Sequence, residues 1–273
     1  MRLKLTIAYD GRPFNGWQSQ ACGNTVQDYL LRALEQVAKQ PVALQGSGRT
    51  DTGVHALGQI AHFDSPDSVS MNPFNWVPAL NTKLPATIRV MACEEVSTDF
   101  HSRFSAIGKI YRYDLCTDPV LPPLKAGLAW HLPRALDATE LERALTVFLG
   151  RHDFHAFAAS RGNEKPDMDW HRTIHRADLE HLSDGYRITW VGDGFLYKMV
   201  RLLTGAAVHA AQGKIRLDEL AAYLDQPAGH PACRWGNPQT ARQPTGCISR
   251  KCFIRKVAAE ADLAGPVWWR CES

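Results

Sequence analysis

The sequence predicts an α+β protein made of two halves of similar order, each with an antiparallel sheet. In both halves a strand with alternating apolar residues is followed by a helix with one apolar face and then by two more strands. The chain has no tandem repeat of about 34 or 40 residues, which argues against a solenoid. The order of the elements also argues against a parallel, doubly wound sheet. We expect the halves to span residues 1–104 and 105–273.

The first half begins with a strand, because apolar and polar residues alternate over residues 2–7. Thr25 and Asp28 form a variant of the capping box, and the apolar stripe that follows them predicts a helix. Two further strands are expected near residues 57–64 and 87–95.

The second half repeats this order. Alternation predicts a strand near residues 105–116, and Asp137 and Gly150 are typical of the two ends of a helix over 138–149. Strands are then expected near 172–181 and 186–192, helices near 195–212 and 218–224, and a last strand near 246–256. Residues 161–170 are expected to form a long loop.

The composition indicates a globular protein of the cytoplasm. Of the 273 residues, 45% are apolar, which is enough to bury a core. The seven scattered cysteines are typical of free thiols in a reducing compartment, and residues 1–10 lack the apolar region of a secretion signal. No window approaches the roughly 18 apolar residues that a membrane span requires. The net charge of +3 is too small to indicate a nucleic-acid partner by itself.

The stretch GSGRTDTGVHA, residues 46–56, places Arg49, Asp51 and His55 among three glycines. It is not a dinucleotide fingerprint, because Asp51 stands where the third glycine belongs and would repel a pyrophosphate. It is not a P-loop, because it lacks Gly-Lys-Ser/Thr. The stretch is either a functional loop or a solvated turn in which Asp51 bonds its own backbone.

Other clusters are weaker signals of function. The histidine pairs at 152/155 and 171/175 and the cysteines at 247 and 252 lack the spacing of a zinc site, so we expect no metal. Arg201 lies in a largely apolar predicted helix. It is either a surface arginine or one that needs a buried carboxylate partner.

Basic residues are concentrated in the last part of the chain. Between Asp225 and Glu260 there is no acidic residue, and six basic ones fall there: Arg234, Arg242, Arg250, Lys251, Arg255 and Lys256. Arg103, Lys109 and Arg112 form a similar group upstream. This asymmetry suits a phosphate backbone, and solvated strand faces are the alternative.

Seven blocks resemble, in order and spacing, the family of bacterial tRNA pseudouridine synthase A. They are IAYDGRPFNGWQSQ, TVQDYLLRAL, GSGRTDTGVHA, FHSRFSAIGKIYRY, HDFHAF, RTI and GFLYKMVRLLTG, between residue 5 and about residue 213. The chain departs from the family at TARQPTGCISRK, residues 240–251, where Cys247 replaces an expected leucine in the lining of the pocket.

The resemblance implies the fold and the reaction. The fold would be two RRM-like halves with a central antiparallel sheet and a catalytic cleft. The reaction would be the conversion of uridine to pseudouridine at nucleotides 38, 39 and 40 of the tRNA anticodon stem-loop. The resemblance also implies a homodimer that binds tRNA across both subunits, with no metal or other cofactor.

The resemblance also implies the roles of individual residues. Asp51 would be the catalytic carboxylate, and Arg201 would pair with it and keep it ionised. Tyr111 would stack on the flipped base and is a candidate for removing the C5 proton. Arg49 would occupy the place that the flipped uridine leaves, while His55 supports the loop. Arg103 and Arg242 are the further residues expected to bind tRNA.

Two other classes of function remain open from the sequence. An RNA-binding module without catalysis would share the fold and charge, but it would not need Asp51, Tyr111 and Arg201 together. A glycoside hydrolase would need a second catalytic acid, and the sequence shows no obvious one at the matching site to act with Asp51. Whether Asp51 attacks C1′, attacks C6 or promotes a glycal is also open.

Overall fold

The computed structural model describes residues 1–134, 136–160, 162, 167–225 and the backbone of 255–257. The strands are β1 (Arg2–Tyr9), β2 (Gln45–Gly46), β3 (Ala56–Asp64), β4 (Ile88–Val96), β5 (Gly108–Cys116), β6 (Trp130–His131), β7 (Gly150–Asp153), β8 (His171–Leu182), β9 (Gly185–Gly192) and β10 (Arg255–Val257). The helices are α1 (Val26–Ala38), α2 (Pro73–Asn81), α3 (Ala138–Val147), α4 (Met199–Ala211) and α5 (Leu217–Ala221), with short 3₁₀ turns at Pro123–Lys125 and His155–Phe157.

The chain divides into two compact units, and the predicted α+β class is confirmed. The first unit contains residues 1–108 and β10, and the second begins at Lys109. Among the described residues, no helix is both long and apolar enough to cross a membrane. The cysteines within the described ranges, Cys22, Cys93 and Cys116, are free thiols.

The sheet of the first unit has the order β4-β1-β3-β10, and β2 pairs with β3. The β1 pairs with β3 and β4 are antiparallel, whereas β10 runs parallel to β3. Every second residue of β1 is buried, as alternation predicts. Helix α1 begins at the predicted capping box, in which Thr25 accepts a hydrogen bond from the Asp28 amide and the Asp28 carboxylate accepts one from the Thr25 amide.

Helix α2 is an element that the sequence analysis missed. The side chain of Asn72 accepts a hydrogen bond from the amide of Phe74 at 3.0 Å, and Pro73 occupies the first turn. Trp76 and Leu80 are fully buried. Pro78 lies inside the helix and interrupts the pattern that would have identified it.

The sheet of the second unit has the order β5-β9-β8-β7 with antiparallel pairs, and β6 runs parallel to β5. Its core contains the fully buried ring of Trp190, whose indole N–H donates to Thr204 of α4 at 3.0 Å. The predicted cap of α3 is confirmed, because Asp137 accepts a hydrogen bond from the Glu140 amide.

Two predicted helix boundaries need correction, and one predicted strand lies mostly outside the described residues. Helix α4 begins at Met199 and not near 195, because Lys198 has a left-handed backbone with φ 57° that a continuous helix cannot contain. Helix α5 ends at Ala221 and not near 224. Of the strand predicted near 246–256, only the part at β10 falls within the described residues.

Candidate active site

The loop of residues 47–55, which we call the Asp51 loop, connects β2 to β3. Three hydrogen bonds attach its first residues to β3. The Ser47 amide donates to the Ile60 carbonyl at 2.8 Å, and the Ser47 hydroxyl donates to Oε1 of Gln59 at 2.7 Å. The amide group of Gln59 in turn donates to the Gly48 carbonyl at 2.9 Å. Ser47 and Gln59 are buried, so these bonds are shielded from water.

The centre of the loop is held by the chain that follows β1. The amide of Trp17 donates to the Thr50 carbonyl at 3.0 Å, and the hydroxyls of Tyr9 and Thr50 lie 2.8 Å apart. The Val54 amide donates to the Asp51 carbonyl at 3.1 Å, which closes a turn on Asp51. Despite its glycines, the loop therefore holds the backbone of Asp51 in a defined place.

Two glycines after β1 allow this close approach. A Cβ atom at Gly11 would lie 2.0 Å from the Val54 carbonyl oxygen. A Cβ atom at Gly16 would lie 2.6 Å from the Thr50 carbonyl oxygen, and Gly16 also has φ +86°. Any side chain at either position would push the Asp51 loop away from this segment.

A contact between the imidazole of His55 and the carboxylate of Asp10 joins the end of the loop to the residue after β1. His55 is buried, and its Nδ1 lies 3.2 Å from Oδ1 of Asp10. The Asp10 carboxylate also accepts hydrogen bonds from the backbone and the guanidinium of Arg12. Partial burial alone would raise the pKa of Asp10. The hydrogen bonds that Arg12 donates to the carboxylate, together with the electrostatic influence of His55, lower this pKa overall.

The loop presents its two expected functional side chains differently. Asp51 is half-buried, whereas Arg49 is exposed. A carboxylate whose backbone is fixed and whose side chain is partly shielded from water can act at a defined atom of a bound substrate. An exposed arginine two residues earlier can reach a ligand outside the loop.

Tyr111 and Arg201 belong to the second unit. Tyr111 is half-buried on β5, and its ring packs edge-to-face against Phe195 with the centroids 4.9 Å apart. Arg201 is exposed on α4 between the buried residues Val200 and Leu202. Of the two alternatives for Arg201, its position on the helix is that of a surface arginine.

The remaining predicted tRNA-binding residues fall in different parts of the chain. Arg103 is exposed in the segment between β4 and β5 of the first unit. Arg242 lies outside the described residues, as do the basic residues 234, 250 and 251.

One group of three possible metal ligands occurs among the described residues. Single ligand atoms of Cys116, Asp118 and Asp184 lie within 4.8 Å of one another. The Lys125 ammonium forms an ion pair with Asp184 and lowers the pKa of that carboxyl, so a positive charge already stands there. In the two histidine pairs, His152 contacts Asp225 and His171 contacts Asp169.

The sequence analysis gave no role to the residues that support the loop from the β1 side. Tyr9, Gly11 and Gly16 all lie in the block IAYDGRPFNGWQSQ, which entered only as part of the resemblance. Two glycines within six residues at the end of a predicted strand were the available signal of a close backbone approach.

Residues 5–105 and 144–241 match the family model described as tRNA pseudouridine synthase. The α+β fold and this match define the class of the protein, an isomerase of the pseudouridine synthase type. The tRNA pseudouridine synthase A of Akkermansia muciniphila is 52% identical over 229 residues, which are 83% of this chain and 86% of the relative. That of Bacillus subtilis is 40% identical over 227 residues, 82% of this chain and 90% of the relative. The chain belongs to the tRNA pseudouridine synthase A family.

Proposed function

We propose that this chain converts uridine to pseudouridine in the anticodon stem-loop of tRNA, with nucleotides 38, 39 and 40 as its targets. The observation that carries the proposal is the fixed loop that presents a half-buried Asp51, in a chain of this family. The proposed enzyme is a cytoplasmic homodimer that binds tRNA across both subunits. Its catalytic carboxylate lies in residues 1–104, and Tyr111 and Arg201 lie in residues 105–273.

The reaction rearranges bonds without adding or oxidising anything. The bond between N1 of the uracil and C1′ of the ribose breaks, the base turns, and C5 forms a new bond to C1′. The C5 proton then leaves, and N1 gains a proton. These steps require a carboxylate near the sugar and the base, in a site shielded from water.

Asp51 is proposed as that carboxylate. The Val54 amide donates a hydrogen bond to the Asp51 carbonyl and closes the turn. The preceding residue, Thr50, forms hydrogen bonds with the Tyr9 hydroxyl and the Trp17 amide. A fixed backbone limits where the carboxylate can act, which favours one atom of the substrate over others. Arg201 is proposed to pair with Asp51 during catalysis and to keep it ionised.

Tyr111 and Arg49 are proposed to act on the flipped uridine. The Phe195 ring limits the orientations of Tyr111, which favours stacking on a base and leaves the phenol as the group that removes the C5 proton. Flipping costs a few kcal/mol of lost stacking. We propose that the exposed guanidinium of Arg49 fills the position that the flipped uridine leaves in the base stack. Arg103 and Arg242 are proposed to bind phosphates of the tRNA.

Release of tritium from tRNA labelled at C5 of uridine tests the proposal. We expect Asp51→Asn to abolish release while tRNA binding stays nearly intact, because the substitution keeps the size and removes the charge. The control is Asp67→Asn, which changes an exposed aspartate of the same unit. Turnover of Asp51→Asn within about a factor of ten of wild type would exclude Asp51 as the catalytic group.

Tyr111→Phe separates the two proposed roles of that ring. The variant keeps the stacking surface and loses the hydroxyl, so tRNA affinity should persist while tritium release slows. Full activity of this variant would assign the removal of the C5 proton to another group. If the wild-type protein binds tRNA and never releases tritium, the chain is an RNA-binding module without catalysis.

A further inference from the structure

The segment of residues 101–105, between β4 and β5, presents an exposed aromatic ring on a rigid support. We call this segment the Phe104 platform. Phe104 is 76% exposed, although burial of a phenylalanine ring is favourable. Single exposed apolar residues are common on proteins. Phe104 differs from such residues because neighbouring groups hold its ring in a defined orientation.

The ring of Phe104 lies against the imidazole of His101, with the centroids 4.4 Å apart. Nδ1 of His101 accepts hydrogen bonds from the backbone amides of Arg103 at 3.2 Å and Phe104 at 3.3 Å. The Ser105 amide donates to the His101 carbonyl at 2.8 Å, and the His101 amide donates to the Ser105 hydroxyl. The platform is thus a closed turn that orients the ring.

The platform is attached to the two strands that flank the Asp51 loop. Ser102 is fully buried, and its hydroxyl donates to the carbonyl of Gln45 in β2 at 2.8 Å. The Ser102 amide donates to Nδ1 of His62 in β3 at 3.2 Å. The centroids of the His62 and His101 rings lie 4.8 Å apart. Because the loop of residues 47–55 joins these same strands, the platform and the Asp51 backbone share one rigid support.

The charge beside the ring favours a nucleic acid as the partner. The exposed guanidinium carbon of Arg103 lies 5.8 Å from the centre of the Phe104 ring. On β3, two residues after His62, the carboxylate of Asp64 is bound by Arg2 through two hydrogen bonds, so its charge is compensated. A flat ring beside a cation matches one nucleotide, because the ring can stack on the base and the guanidinium can bind the phosphate.

We propose that Phe104 stacks on an unpaired base of the tRNA while Arg103 binds an adjacent phosphate. The platform is then a positioning surface that holds the RNA strand next to the uridine delivered to Asp51. This inference rests on the proposed function for the identity of the RNA. It adds a contact to a base, whereas Arg103 alone would contact only the backbone.

Filter binding of tRNA over a range of salt concentrations tests the two contacts separately. Phe104→Ala should raise the Kd for tRNA roughly 5- to 150-fold, the range for loss of one stacked base, and should leave the salt dependence unchanged. Phe104→Trp should restore affinity, whereas Phe104→Leu, which is apolar without an aromatic face, should not. Arg103→Ala should reduce the slope of log Kd against log salt by about one.

The matched control is Phe74→Ala, because Phe74 belongs to the same unit and is 74% exposed. It should bind tRNA as the wild type does. Wild-type affinity of Phe104→Ala, or equal rescue by Leu and Trp, would overturn the stacking proposal. So would a change in oligomeric state without a change in affinity, which would assign Phe104 to a contact between copies.

A measurement of tritium release by the wild type keeps this result separate from the proposed function. An active wild type with an unaffected Phe104→Ala variant contradicts only the platform. An inactive wild type contradicts the proposed function, while the Kd values still decide whether Phe104 binds RNA.

Discussion

The hydroxyl of Tyr9, the last residue of β1, lies 2.8 Å from Oγ1 of Thr50, the residue before Asp51. Both residues are buried, so this bond connects the sheet to the Asp51 loop where water does not compete. The position of the proposed catalytic carboxylate therefore depends on a residue in another element of the first unit.

Tyr9→Phe should lower the catalytic rate more than the affinity for tRNA. The variant keeps the ring and removes one buried hydrogen bond, which stabilises the fold by about 0.5–1.5 kcal/mol. Tritium release at saturating tRNA, together with urea unfolding, measures the two effects. Tyr29→Phe is the control, because the Tyr29 hydroxyl bonds Asn24 at 3.5 Å, away from the loop. Equal rate losses in both variants would show that the Tyr9 bond does not position Asp51.

Gly16→Ala should displace the Asp51 loop, because the new methyl group would lie 2.6 Å from the Thr50 carbonyl oxygen. Gly23→Ala is the matched control, since Gly23 also has positive φ and nothing lies within 4 Å of its added Cβ. The control should lose only the roughly 1–2 kcal/mol of backbone strain. Gly16→Ala should lose more stability, and its catalytic rate should fall about 10- to 100-fold.

Thermal unfolding and tritium release of the two glycine variants distinguish strain from displacement. Similar stability and similar rates in both would mean that the segment after β1 can move without affecting the loop.

Local patterns predicted the elements that depend on local chemistry. Strand β1 and the capping box of α1 were found because alternation and capping are properties of consecutive residues. Helix α2 was missed because Pro78 interrupts a helix of only nine residues. The start of α4 was placed too early because the apolar pattern does not reveal the left-handed backbone of Lys198.

The chemistry of the candidate site was predicted from a resemblance, but its rigidity was not. Three glycines in residues 46–56 suggest a flexible loop when that stretch is considered alone. The loop is held by Tyr9, Trp17 and Gln59, which are distant from Asp51 in sequence or belong to another element. Such long-range contacts arise from strand pairing, and no local pattern contains them.

Asp10 should make the stability of the first unit depend on pH in the acidic range. Its pKa in the folded protein is lower than the ordinary value of 3.8, so the ionised form stabilises the fold. That stabilisation is complete above about pH 4 and is lost as the pH falls through the lowered pKa. The difference in unfolding free energy between wild type and Asp10→Asn should therefore shrink below about pH 4 in urea titrations.

Asp67→Asn controls for the general effect of removing an acidic group from the same unit. A stability difference for Asp10→Asn that is independent of pH from about 2 to 7 would show that the carboxylate charge does not hold Arg12 and His55.

Arg201→Leu should separate catalysis from stability. Arg201 is exposed on α4, and replacing such a residue normally changes the free energy of unfolding by no more than about 0.5 kcal/mol. If Arg201 pairs with Asp51 during catalysis as proposed, tritium release should nevertheless fall sharply, and the pH profile should shift because Asp51 loses the charge that keeps it ionised. The control is Arg216→Leu, since Arg216 is an exposed arginine that immediately precedes α5 and pairs with Asp218. A large loss of stability for Arg201→Leu would mean that the arginine supports the fold, and unchanged activity would remove it from the catalytic group.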